Sequence, residues 1–230
     1  MRRSDSELVR ALPLFRAVSA SSFDTLMRDA SVQRFVQNTL LIKEGDLPQA
    51  LHIVVEGAVE LVGYSAERET TLDIIHPITT FILAAVIRDQ AYLKSARTLT
   101  SAKIVSIPAN AIRDVFNRDD CFARAVAAEL AVSCGRTIQA LKDLKLCNAA
   151  ERLANWILQC EQEQGNHGQI RLRHAKQTLA SRLGMTPENL SRNLSSLEKH
   201  GVSIKGRVMV ITDPAALRRL AKGEFSMDGS

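Results

Sequence analysis

Residues 178–200 read TLASRLGMTPENLSRNLSSLEKH, two short helical patterns about a tight turn. Leu179, Ala180 and Leu183 recur at helical spacing, so a first helix is expected over Lys176–Leu183 with these three side chains buried. Gly184 then stops it, because glycine enters a left-handed C-terminal cap at little cost. Thr186 is a strong N-cap, and Pro187 suits the first helical position, where its missing N–H is not needed and its fixed φ is already helical. The second helix starts there. Leu190, Leu194 and Leu197 mark its buried face, which leaves Glu188, Asn189, Ser191, Arg192 and Asn193 pointing outward near its start. In a helix-turn-helix the N-terminal residues of the second helix reach base edges in the major groove, so this polar face is a candidate DNA-reading surface.

Charge supports that reading. Residues 1–147 carry 18 Lys+Arg against 17 Asp+Glu, whereas residues 148–230 carry 12 against 8, so +4 of the net +5 lies in the C-terminal third. Between Gly165 and Val210 the ratio is 8 to 2, with His167, His174 and His200 in the same stretch. A cationic region that coincides with a helix-turn-helix pattern is the electrostatic footprint of a phosphate-binding surface.

At 230 residues, 46% hydrophobic and 24% charged, the chain has the composition of a globular protein of one large or two modest domains. No apolar run approaches the ~20 residues that span a bilayer, and the opening MRRSDSELVR lacks the apolar core of a signal peptide, so a cytoplasmic protein with no membrane partner is expected. Cys121, Cys134, Cys147 and Cys160 lie thirteen residues apart. On one helix that spacing advances each cysteine by ~220° beyond whole turns, so neighbours do not share a face. A metal or disulfide framework is therefore disfavoured, and the four are expected as buried thiols.

Upstream, Leu8–Phe15 reads as a short helix ended near Pro13, and Ser21 or Ser22 as the cap of a second that runs through Met27. From Val32 the pattern changes to VQRFV, TLLIK, LHIVVEG, AVELVGY, TTLDII and AKIVSIP, separated by EGD, EGA and SAERE. Short β-branched runs at this spacing predict an antiparallel sandwich or barrel, with Gly45 and Gly57 in its turns. From Ala109 the helical period returns. After Asp119 and Asp120, Phe122, Val126, Leu130, Ile138, Leu141 and Leu144 recur along a helix of about 25 residues, ~38 Å long. That exceeds the need of one compact domain, so the helix is expected to bridge two domains and pair with a second copy of itself; the alternative is that its stripe packs on its own β domain. A helix over Ala149–Gln162 follows, with Leu153, Trp156, Ile157 and Cys160. Next come the turn GNHGQ and a strand in IRLRH. VSIKGRVMVI reads as a hairpin wing around Lys205-Gly206-Arg207, and Asp213-Pro214 opens the last helix, AALRRLAK.

This order of parts resembles the CRP/FNR family of bacterial transcription regulators over nearly the whole chain. TLLIKEGDLPQALHIVVEGAVELV (39–62) is similar to the front of that family's cyclic-nucleotide-binding-type roll, and LASRLGMTPENLSRNLSSLEKHGV (179–202) to its recognition motif. The resemblance implies an α+β chain: an antiparallel β-roll with N-terminal helices (1–108), a long dimerisation helix and hinge (109–147), and a winged helix-turn-helix (148–230). It places base reading on Glu188, Ser191 and Arg192, an E-x-x-S-R pattern of the FNR type, and so implies palindromic DNA with TTGAT-like half-sites. The chemistry agrees: Glu188 accepts from a cytosine amino group, Arg192 donates twice to guanine, and Ser191 contacts thymine or a neighbour. Thr178, Thr186, Asn189, Lys205 and Arg207 are expected on phosphates, which set register. Partners are double-stranded DNA, a second copy through 109–147 and, for an activator, RNA polymerase.

The sensory half departs from the family's founding types. Where cyclic-AMP-binding members carry Gly-Glu after Phe-Ile, and later Arg-Ser, this chain has Phe81, Ile82, Leu83 and Ala84, then Lys94 and Ser95. Ala84 cannot hold a ribose, and Lys94 offers a point charge in place of a bidentate fork, so cyclic AMP is not the expected effector. An iron–sulfur cluster is disfavoured because no cysteine precedes Cys121. The apolar stretch Phe81–Ile87, with Ile74, Ile75 and Ile78, resembles the NnrR and Dnr-like branches, which implies haem and nitric oxide with His76 or His52 as ligand. Two other readings stay open: an apolar small ligand, or no ligand. A metal-dependent enzyme on the roll finds no support, since no ligand spacing, Gly-x-Ser-x-Gly or phosphate loop is present.

Overall fold

The computed structural model describes residues 3–66, 68–165 and 167–221. Glu67, Asn166 and Lys222, on which an expected turn, a second turn and the end of the last helix fall, lie outside the described residues. The chain forms two compact units, Met1–Arg136 and Thr137–Ser230.

The first unit opens with α1 (Arg3–Ala11), α2 (Pro13–Arg16) and α3 (Ala20–Arg28). The first helix stops at Ala11, near Pro13 as expected, and Pro13 begins a new one, since its ring tolerates the first turn and not the interior. The cap of α3 is Ser19, whose Oγ accepts the Ser22 N–H at 3.2 Å, rather than Ser21 or Ser22. The strands are β1 (Ser31–Phe35), β2 (Leu40–Ile42), β3 (Ala50–Glu56), β4 (Val59–Ser65), β5 (Arg68–Ile75), β6 (Thr79–Phe81), β7 (Ser95–Thr98) and β8 (Ala102–Pro108), with α4 (Leu83–Arg88) between β6 and β7. They build two antiparallel sheets, ordered β1-β8-β3-β6 and β2-β7-β4-β5.

Period-2 alternation on β3 sorts its side chains between two cores. Leu51, Ile53 and Val55 join Phe15, Phe23, Leu26, Val105 and Ile107 on the side covered by helices, while Val54 joins Leu61, Phe81, Ala96 and Ile104 in the other core. Buried Asp5 pairs with Lys103 and so ties α1 to β8. Buried Glu60 accepts from Arg97 Nε at 2.8 Å and Thr71 Oγ1 at 2.6 Å, which satisfies a carboxylate that desolvation would otherwise make costly. Gly57 makes the turn into β4 at φ 82°, and a Cβ there would lie 2.2 Å from the Ser101 carbonyl oxygen, so only glycine fits.

Then come α5 (Ala109–Arg118) and the 27-residue α6 (Asp120–Leu146). Asp119 Oδ1 accepts the Phe122 N–H at 3.0 Å and caps α6 at the expected place. The stripe of α6 has two fates. Phe122 and Val126 are buried in the first unit, with Leu130 packed against them, as in the alternative reading. Beyond them Val132, Ile138, Leu141 and Leu144 are 50%, 54%, 51% and 53% exposed.

The second unit contains α7 (Ala149–Glu163), β9 (Gln169–Arg171), α8 (Lys176–Arg182), α9 (Pro187–Ser196), β10 (Val202–Lys205), β11 (Val208–Ile211) and α10 (Pro214–Leu220). The expected wing hairpin gains β9 as a third strand, in the order β10-β11-β9. The cysteines correct an expectation: Cys121 and Cys134 are exposed, and Cys147 and Cys160 are half-buried. The first two fall on solvent-facing positions of α6, where helical phase and not residue type sets burial. Burial pushes the Cys160 thiol up to about 12, so it is not a thiolate at neutral pH.

Candidate nucleic-acid interface and effector site

Leu179, Ala180, Leu183, Leu190, Leu194 and Leu197 are buried together against Leu153, Ile157, Ile170 and Met209. That packing fixes the phase of α9. Thr186 Oγ1 accepts the Asn189 N–H at 3.2 Å as the N-cap, and Met185 N–H donates to Ala180 O at 3.0 Å across the turn. Gly184 takes φ 63°, and a Cβ on it would stand 2.8 Å from Leu144 Cδ2.

With the leucine face turned inward, Glu188, Ser191 and Arg192 are exposed side by side over the first turns of α9. The Glu188 carboxyl is held below its ordinary range by its own backbone N–H, then by the Thr186 hydroxyl and the Arg192 guanidinium. It is therefore an ionised group that only accepts, beside an arginine that only donates. Asn193, expected to point outward, is half-buried and donates its amide to Asn189 Oδ1 at 2.7 Å and to Asn189 O at 2.8 Å. Helical neighbours four apart meet in this way, and the bond removes Asn193 from the exposed set.

Thr186, Lys205 and Arg207 are exposed; Thr178 and Asn189 are half-buried. Lys205 pairs with Val208 across a two-residue loop, so Gly206 and Arg207 form the wing tip, and Arg207 O accepts the Leu172 N–H at 2.7 Å. Arg173 and Lys176, exposed before and at the start of α8, add cations that the sequence reading counted but did not single out.

The comparisons with known proteins match this geometry. A family model for the Crp-like helix-turn-helix domain matches residues 151–220, and one for the cyclic nucleotide-binding domain matches 32–119. The chain belongs to the CRP/FNR family. It is a DNA-binding transcription regulator. The regulator is 24% identical over 222 residues to the CRP-like cAMP-activated global transcriptional regulator of Mycobacterium tuberculosis, covering 94% of this chain and 99% of that one. It is 23% identical over 203 residues to electron transport regulator A of Shewanella oneidensis, covering 86% and 80%. The structure of FixK2 from Bradyrhizobium japonicum superposes at a TM-score of 0.76 with 20% identity, over 84% of this chain and 98% of that one.

In the regulator's roll, the run expected to wall one apolar pocket is divided between two cores. Phe81 belongs to the core between the sheets, Leu83 is buried with Val86 on the helix side, and Ala84 is exposed. The chain crosses from one core to the other at Ile82, whose φ of 65° costs about 1–3 kcal/mol in a β-branched residue and persists because its neighbours are locked in place. Ser95 is buried and its Oγ accepts the Glu44 N–H at 2.9 Å. Lys94 is half-buried; burial lowers its pKa, and the nearby Asp73 carboxylate opposes that shift. Position 84 thus offers no acceptor side chain, the Ser95 hydroxyl already accepts one backbone N–H, and the Asp73 carboxylate acts on Lys94.

His52 and His76 differ sharply. His52 shares the side of β3 that carries Val54, sits in register with Phe81 and Ser106, stacks on the Phe81 ring at 5.5 Å, and has Nδ1 2.8 Å from Ser106 Oγ. Burial pushes its pKa down to about 4, so the imidazole is neutral. His76 follows the last residue of β5 and is half-exposed.

Proposed function

We propose that this regulator acts as a homodimer on palindromic DNA with TTGAT-like half-sites and is controlled at its roll by an effector other than cyclic AMP. The observation that carries the operator assignment is the exposed trio Glu188, Ser191 and Arg192, an obligate acceptor, a hydroxyl and a bidentate donor set at the start of α9. Lys205 and Arg207 at the wing tip are placed to hold phosphates. The exposed stripe Val132–Leu144 supports pairing of two α6 helices, because an amphipathic helix in water buries such a face against a partner. Two half-sites one helical turn apart, about 10–10.5 bp between centres, suit such a dimer. The effector acts by preferring one arrangement of the paired helices, and its differential affinity limits the shift it produces. Titration of a duplex carrying two TTGAT half-sites against a scrambled duplex tests the reading: binding at least about 10³ tighter to the matched duplex is expected, and equal affinities overturn it.

Haem, with nitric oxide as the signal, is the effector that His52 supports best. A neutral, half-buried imidazole whose Nδ1 is anchored by a hydroxyl leaves Nε2 to bind iron, the arrangement that fixes a histidine ligand. His76 is the lesser candidate because it stands just past the end of β5 and not on a strand of the sheets. Protein purified from haem-supplied cells should show a stoichiometric Soret band that moves with nitric oxide and disappears in His52→Ala but not in His76→Ala. A colourless protein, or a band that His52→Ala leaves untouched, sinks the haem assignment in favour of an apolar ligand or none.

A further inference from the structure

The end of the long helix and the turn before the recognition helix are tied by one side chain. Arg152, in the first turns of α7, donates from Nε to Leu183 O at 2.9 Å, from Nη1 to Cys147 O at 2.7 Å and from Nη2 to Gly184 O at 3.4 Å. Leu183 caps the C-terminal end of α8 and Cys147 directly follows α6, so these are carbonyls that have run out of helical N–H partners and carry the negative end of a helix dipole. A guanidinium suits them because its donors are held in a rigid plane, which fixes the spacing of the carbonyls it bridges. An ammonium on a flexible stem does not.

Neighbouring contacts remove the freedom that a two-residue joint would otherwise have. Asn148 Oδ1 accepts from Ala150 N and Glu151 N at 3.0 Å, while Asn148 N–H donates to Glu151 Oε2 at 3.0 Å, a complete capping box with Glu151 buried. Cys147 N–H donates to Asp143 O at 3.1 Å, and Asn155 Nδ2 reaches Asp143 Oδ1 at 3.4 Å. Leu144 fills the space beside Gly184 that a Cβ would occupy. The joint Cys147–Asn148 is thus held by hydrogen bonds on both sides.

We infer that Arg152 is a positioning residue: it locks the helix-turn-helix to the last turn of α6, so that the dimer helix dictates where each recognition helix points. The inference rests on the proposed dimer at two half-sites. Its signature is the dependence of binding on half-site spacing, which a residue that merely stabilised the fold would not govern.

The test uses the full-length protein, wild type, Arg152→Gln and Arg152→Lys, on duplexes with the half-sites at one helical turn, with two base pairs inserted, and with a single half-site. Wild type should prefer the uninterrupted spacing by about 10²-fold. Arg152→Gln should shrink that preference to about threefold or less while single-half-site affinity and melting temperature change little, and Arg152→Lys should not restore it. A variant that keeps the spacing preference overturns the assignment, as does one that loses single-half-site binding in step with its melting temperature. A second arm needs no DNA: alkylation of Cys147, followed by peptide mapping against exposed Cys121 and Cys134, should speed up about tenfold or more in Arg152→Gln if the joint opens. An unchanged rate overturns the clamp. Wild type without any spacing preference instead counts against the dimeric operator reading, and the labelling arm still decides the clamp.

Discussion

Leu141→Asp is expected to yield a folded monomer whose affinity for a two-half-site duplex falls by about 10²–10⁴, while its affinity for one half-site barely changes. Leu141 is 51% exposed in the single chain and stands one turn from Ile138 and from Leu144. Among the described residues it belongs to none of the hydrophobic cores, so the substitution removes little from intrachain packing. Across a seam between two copies it would set carboxylates face to face in an apolar strip, where neither charge is paired. Once the seam is lost, the second half-site no longer binds intramolecularly, which is the origin of the large factor. Leu144 is a poorer site for this experiment because it also packs beside Gly184. Sedimentation velocity and DNA titration on the same preparation check the result; a Leu141→Asp protein that remains dimeric would remove α6 as the interface.

Arg192→Ala should cost about 1–3 kcal/mol per half-site on matched DNA and abolish discrimination at the base pair it reads, with little change on scrambled DNA. Arg192 is exposed and helps to hold the neighbouring Glu188 carboxyl ionised, so its loss removes little from the packing of the fold. Lys205→Ala gives the contrasting pattern. An exposed cation at the wing tip that meets phosphate should weaken all DNA similarly and lower the salt slope by about one. Equal losses for Arg192→Ala on matched and scrambled duplexes would exchange the roles assigned to the two residues.

The helix-turn-helix was readable almost residue by residue because its determinants are local. Thr186, Pro187, Gly184 and the leucine spacing each act within one or two helical turns, and the helices run Lys176–Arg182 and Pro187–Ser196 where the pattern put them. The roll was legible in its long β-branched runs. Missed were β6 and β7, three and four residues long, whose Thr-Thr-Phe and Ser-Ala-Arg-Thr carry little intrinsic strand signal and become strands because β3, β2 and β4 lie beside them. The same long-range pairing decided the sensor region. A run of apolar residues looked like one pocket wall until Ile82 turned the chain and sent Phe81 and Leu83 into different cores.

Arg152 shows where a one-dimensional reading stops. Its partners are backbone carbonyls 31 and 32 residues away and one five residues before it, and no side-chain pattern marks a carbonyl that lacks a helical donor. Likewise the cysteines' identity predicted burial, whereas the phase of α6 left two of them in solvent. Caps, turns and helical periodicity are short-range physics written in neighbouring residues, and they suffice for the family, the domain order and the exposed trio on α9. Which histidine is desolvated, which carbonyls share a guanidinium and which part of α6 is left bare depend on segments far apart in sequence meeting in space, and those were settled only when the chain was folded.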